Sequence, residues 1–368
     1  MHVPDGFIDL PASAAAGVVA AGAVAVSLRG ARRELDAMNP GSDLGADRTA
    51  PLAGLVAAFI FAVQMLNFPV AAGTSGHLLG GALAAILVGP YTGIVCMSVV
   101  LLLQGVLFAD GGLSALGVNI TIMGVVTVVV AYTLFRGLLK VLPKRRSSVT
   151  AASFVAALVS VPASAAAFTL VYAIGGTTDV PVGTVMTAMV GVHVLIGVGE
   201  ALITAATVGA VLAVRPDLVY GARGLSSPLK LRVGGELVDA APASATPASP
   251  AASARPVWIA GLLTSLVLAG FVSFYASANP DGLEKVAADK GIDKNVEEHV
   301  AADFPLADYG IKDVENMRLS GGLAGTIGVG ATAAVGTGLV WAVKRRRKDG
   351  SEAPVGAAGT APVRKESV

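Results

Sequence analysis

The sequence predicts an all-α polytopic membrane protein: a bundle of about seven helices, then a two-helix hairpin carrying a small outer domain. Of its 368 residues, 54% are hydrophobic and only 14% charged, against roughly 25% charged in soluble domains. Apolar runs recur at about the 20 residues that a helix needs to cross roughly 30 Å of hydrocarbon, and no charged residue occurs between positions 51 and 109. The alternation that marks a membrane barrel is absent.

The first run, near 10–28, carries a small-residue segment, ASAAAG, that mimics a signal-peptide cleavage site. A signal needs positive charge before its apolar core, whereas MHVPDGFIDL holds Asp5 and Asp9 and neither Lys nor Arg. Arg29, Arg32 and Arg33 follow the run, so the N-terminus is expected outside and retained. Further spans are expected near 51–68, 77–89, 91–108, 113–135, 150–174 and 182–214, then 257–275 and 321–343. With the N-terminus outside, the inner segments 29–50, 136–149, 215–256 and 344–368 carry 4, 5, 5 and 7 Lys/Arg, and the outer segments 69–76, 109–112 and 175–181 carry none. The other five lie in 276–320, which also holds ten acidic residues and reads as an outer domain. That asymmetry places the chain in the cell membrane with its C-terminus in the cytoplasm.

Four segments result. Residues 1–214 form a seven-span unit, and 215–256, rich in Ala, Pro and Ser, reads as a cytoplasmic linker. Residues 257–343 form a two-span unit around the outer domain 276–320, and 344–368 a basic, disordered tail. Glycine pairs such as Gly76/Gly80 and Gly321/Gly325 suit close helix contact in lipid. Cys96 is the single cysteine, which excludes an intrachain disulfide and a Cys-rich metal site. A net charge of +1, with basic residues scattered over several clusters, gives no footprint for nucleic acid. No G-x-x-x-x-G-K-[ST], H-E-x-x-H or G-x-S-x-G occurs, so the chain lacks a P-loop of its own and carries no familiar catalytic signature.

Chemistry concentrates on histidines. His2, second in the chain, can close three nitrogens on one ion: the Met1 amine, the residue-2 amide and the imidazole Nδ1. That planar set suits Ni²⁺, Cu²⁺ or Co²⁺ rather than tetrahedral Zn²⁺ or oxygen-seeking Mg²⁺; the bland alternative is an accidental histidine near an exposed end. His77 ends the loop NFPVAAGTSG at the same membrane face and can supply the fourth donor, as an ionisable group at membrane depth. His193 and Glu200 are seven apart on one helix face, either a functional element or a structural polar pair, and an intramembrane enzyme built on them is the competing reading. Gln104, Asn119 and Asp110 near outer span ends raise the same choice. His299, in the acidic outer domain, reads as solvated surface.

The motifs MHVPDGFID at 1–9, QMLNFPVAAGTSGHLLGGALAAILVGP at 64–90, QGVLFADGGLSALGVNITIMG at 104–124 and HVLIGVGEALIT at 193–204 resemble the CbiM/NikM family, the substrate-capturing membrane components of cobalt and nickel energy-coupling factor transporters. SANPDGLEKVA at 277–287 resembles the small two-span PDGLE (NikN or CbiN-like) partner, here fused through the linker. The resemblance implies a transported Co²⁺ or Ni²⁺, with no permanent cofactor, held by Met1, His2 and His77, with Asn67, Thr74 and Ser75 shaping the loop. It also implies two partners: a transmembrane coupling subunit (CbiQ/NikQ-like) and a cytosolic ATPase (CbiO/NikO-like). The residues do not separate cobalt from nickel, although the PDGLE segment leans toward nickel.

Overall fold

A computed structural model describes residues 1–37, 46–71, 73–223, 230–233, 236–239 and 255–345. In chain order these form α1 (Leu10–Ala37), α2 (Ala46–Gln64), the hairpin strands β1 (Phe68–Ala71) and β2 (Thr74–Gly76), α3 (Gly81–Val88) and α4 (Pro90–Leu107). A continuous helical stretch follows, from α5 (Leu116–Asn119) through a π-helical segment, Ile120–Val126, into α6 (Thr127–Val141). Next come α7 (Arg146–Gly175), α8 (Val182–Val214), β3 (Lys230–Val233) and β4 (Glu236–Asp239), then α9 (Arg255–Gly270), α10 (Gly282–Lys290) and α11 (Met317–Arg345). Among the described residues the fold is all-α apart from two small antiparallel hairpins.

Among the described residues, seven helical stretches are long and apolar enough to cross a membrane. Large side chains left exposed on α1, α7, α8 and α9, such as Val18, Leu170, Leu202 and Leu263, are what a lipid-facing surface requires, since lipid rather than water solvates them. The segment expected to span 77–89 as a helix does so only in part. Its first residues, 77–80, lie outside any helix, Gly80 adopts a left-handed φ of 90°, and α3 has eight residues, all buried. The pair Gly76/Gly80 therefore serves a turn and a strand, not a helix contact. A Cβ at Gly76 would stand 2.6 Å from Ile196, and one at Gly80 the same distance from Ile60.

Segment α3 descends to the depth of Glu34, near the far end of α1. The Glu34 carboxylate accepts hydrogen bonds from Tyr91 N (3.0 Å), Thr92 N (2.7 Å) and Thr92 Oγ (2.8 Å), capping the N-terminus of α4 where the helix dipole favours a carboxylate. The π-helical segment has a local cause of stability: Ser164 Oγ donates to the Ile122 carbonyl at 2.7 Å, and Thr127 Oγ donates back to the Met123 carbonyl. Such segments often mark functional positions, and Asn119 immediately precedes this one.

The second unit packs on the first through small residues. A Cβ at Gly54 of α2 would stand 2.6 Å from the Ala333 carbonyl of α11, and one at Gly336 of α11 would stand 3.1 Å from Gly54 Cα. Close helix approach of this kind replaces the hydrophobic drive that lipid does not supply. Strands β3 and β4 fall inside the expected linker 215–256, of which 224–229, 234–235 and 240–254 lie outside the described residues. So do 346–368 of the expected tail.

Candidate functional site

Residues 1–9 pack against α5, the C-terminal end of α7 and the loop before α5, and Met1 and Val3 are buried. Asn119 holds Val3 at both ends, its Oδ1 accepting from Val3 N at 2.8 Å and its Nδ2 donating to Val3 O at 3.0 Å. Gly112 N also donates to Val3 O, at 2.9 Å. The Asp5 carboxylate accepts from Leu113 N, Ser114 N and Ser114 Oγ. Thr177 Oγ donates to Gly6 O at 2.7 Å. A Cβ on Gly112 would meet Asp5 Cγ at 2.6 Å, so only glycine lets this loop close over the terminal segment.

The pinned terminus delivers the Met1 amine to two side chains. It lies 2.7 Å from His77 Nε2 and 2.5 Å from Asp281 Oδ2, and His77 Nε2 is 3.6 Å from the same oxygen. His77 Nδ1 faces the Leu78 carbonyl at 3.0 Å. A carbonyl only accepts, so Nδ1 carries the proton and the Nε2 lone pair faces the amine. Burial alone would push the Asp281 carboxyl up; the Met1 ammonium beside it outweighs burial and holds the carboxyl well below the usual carboxylate range.

His2 stacks on His77, ring centroids 5.2 Å apart at 16°. Its Nδ1 faces Asp110 Oδ1 at 3.1 Å and its Nε2 faces Gln104 Oε1 at 3.3 Å. Burial lowers its pKa from 6.5 to about 4, against the pull of Asp110, so the ring is neutral at ordinary pH. Asp110 also accepts from Tyr309 Oη at 2.5 Å, and Tyr309 stacks on Phe108 with centroids 4.9 Å apart. A cavity of about 690 Å³ opens beside this group, lined among others by His2, His77, Asp110, Asp281 and Tyr309.

The remaining sequence candidates support this centre from different distances. Glu200 accepts from Leu79 N and Gly80 N, at 2.5 and 3.0 Å, fixing the chain just past His77. His193 and Glu200 do not bond to each other, correcting the pairing that their spacing suggested: His193 Nδ1 bonds instead to the Met189 carbonyl of its own helix, at 2.7 Å. Ser75 Oγ donates to Asn279 O at 2.7 Å and Ser75 N to Pro280 O at 2.9 Å. Asn67 O accepts from Ser277 N at 2.7 Å, and Thr74 is buried in β2. The loop of the first unit thus grips the second unit beside Asp281.

Asp281 is the residue at this centre that the sequence did not point to. Its Oδ1 accepts from Leu283 N and Glu284 N, while Glu284 bonds back to Asp281 N, a capping box that starts α10. The D-x-x-E spacing announces that helix start, but nothing in the sequence joins it to a partner 280 residues away. Among the described residues no three His, Cys, Asp or Glu side chains form a cluster fit to hold a metal.

A family model described as the cobalt uptake substrate-specific transmembrane region, CbiM, matches residues 2–218, and a PDGLE domain model matches 244–345. A protein of Haloquadratum walsbyi named for metal transport is 39% identical over 220 residues, 60% of this chain and 94% of that protein. A protein of Archaeoglobus fulgidus named for fused nickel transport, NikMN, is 37% identical over 221 residues, 60% of this chain and 68% of that one. A crystal structure of a truncated transition metal transporter aligns with a TM-score of 0.48 and 25% identity, covering 58% of this chain and 99% of that one.

Proposed function

Because the chain belongs to the CbiM family of cobalt-uptake substrate-specific transmembrane proteins, we propose that it captures Co²⁺ or Ni²⁺ at the outer membrane face for ATP-driven import. The ion is substrate, and its ligands are the Met1 amine, the His2 amide and imidazole, and His77 Nε2. Power comes from a separate ATPase, through a transmembrane coupling subunit docked on the cytoplasmic side.

One observation carries this reading: the Met1 amine stands 2.7 Å from a His77 nitrogen whose lone pair faces it. Metal–nitrogen bonds of about 2.0 Å at right angles set neighbouring donors roughly 2.8 Å apart, so the two nitrogens already stand at the spacing of one edge of a planar site. The His2 ring lies against His77, and its Nδ1 completes the chelate by exchanging Asp110 for the ion. Ligands that must shed protons bind less well in acid. The excess of Lys and Arg in the segments assigned to the inside supports an external N-terminus. The metal-capture reading is favoured over an enzyme built on His193 and Glu200, because the Glu200 carboxylate is engaged by main-chain amides and does not bond to His193.

The reading is tested with purified protein titrated with Ni²⁺ and Co²⁺. His77→Ala should weaken binding at least 100-fold, whereas His299→Ala, in the outer domain, should leave it within threefold. Equal binding by both variants would remove His77 from the site.

A further inference from the structure

We propose that Asp281, from the PDGLE unit, is itself a ligand of the ion, so that the capture site is shared between the two fused units and is not all nitrogen. This rests on the reading above and adds a donor to it.

Three atoms carry the argument: the Met1 amine, His77 Nε2 and Asp281 Oδ2, separated by 2.7, 2.5 and 3.6 Å. A triangle of those sides has its corners about 1.8 Å from its centre, so a point about 1 Å off its plane stands roughly 2.0–2.1 Å from all three, ordinary ligand distances for a divalent ion. No atom has to move for one ion to touch all three.

The carboxylate is also preset for the task. Its Oδ1 is committed to the amides of Leu283 and Glu284, which leaves Oδ2 alone to face the amine. The backbone before it is tied to the first unit through Ser75, by way of Asn279 and Pro280. Asp281 is buried, and a buried carboxylate requires a cation. The Met1 ammonium fills that role here. When the ion loads, the amine gives up a proton to the water of the adjoining cavity and its nitrogen lone pair binds the ion, while Oδ2 passes from the ammonium to the same ion. The His2 amide releases its proton to solvent as well, so two negative ligands balance the 2+ charge of the ion.

The full-length protein, loaded with Ni²⁺ alone, tests this by X-ray absorption and by affinity, in the native chain, Asp281→Asn and Asp281→Ser. Both replacements can still cap α10, but neither keeps the anionic second oxygen. The expected result is one oxygen neighbour lost from the nickel shell in both variants, with affinity reduced 10- to 100-fold, a range typical when a group supporting a metal site is removed. An unchanged shell with affinity within threefold would overturn the assignment while leaving the nitrogen chelate intact. A fourth sample, with one residue added before Met1, separates the failures: nickel bound as tightly by it as by the native chain would sink the terminal chelate and this proposal together.

Discussion

Asn119 bonds to both the amide and the carbonyl of Val3, at 2.8 and 3.0 Å, as a neighbouring strand would. This two-way grip fixes the peptide that follows His2 and so determines where the Met1 amine comes to rest. Replacing Asn119 with Leu keeps comparable bulk and removes both bonds. Ni²⁺ affinity is expected to fall 10- to 100-fold, as for other groups that orient ligands, and calorimetric titration reads it directly.

Glu200 performs the matching task for His77. Glu200→Leu leaves the Leu79 and Gly80 amides without their acceptor, at about 1–3 kcal/mol each, whereas Glu200→Gln keeps an oxygen for one of them. Thermal unfolding in detergent should rank the proteins native, Gln, Leu, and metal affinity should follow the same order. If stability falls and affinity does not, Glu200 has no part in placing His77.

Gly282 lies against α8, where an added Cβ would stand 2.7 Å from Ile196, 2.8 Å from Val192 and 3.1 Å from His193 Cε1. Gly282→Val is therefore expected to push α10 off the first unit. The Ser75 amide, bonded to Pro280 O, reports this: its hydrogen exchange should accelerate in the variant, while amides in the middle of α8 keep their native protection.

His2 gives the stability a pH dependence. Its folded pKa is lowered to about 4 from an ordinary 6.5, so between those values the unfolded chain binds a proton that the folded chain refuses. Stability from this group is present above pH 6.5 and is lost as pH falls toward 4, by on the order of 3 kcal/mol at the limit. The melting temperature of the native protein should drop more steeply over that range than that of His2→Asn.

How much of this was legible in the sequence depends on the range of the interactions. Apolar runs bounded by Arg29, Arg32, Arg33 or Gly/Pro turns are local signals, and they located the helical segments. They could not show that α3 stops at eight residues, because the non-helical residues before it are held by Glu200, 120 positions away. His2 and His77 were recognisable one at a time, as a second residue and as a lone ionisable group in a charge-free stretch, and both stand at the centre. His193 and Glu200 were correctly singled out as buried polar groups, but their seven-residue spacing gave no view of the main-chain partners that each takes. Asp281 announced only a helix start, since the contact that matters crosses the whole first unit.

On the proposed reading, the free amine of Met1 holds the ion. Ni²⁺ affinity is measured for the native chain and for one bearing a single extra residue ahead of Met1, with hydrogen exchange confirming the same fold. Loss of at least 100-fold in the extended chain is the expected result, because the added peptide bond removes the amine from its place beside His77. Equal affinity in the two proteins would contradict a role for the Met1 amine in holding the ion.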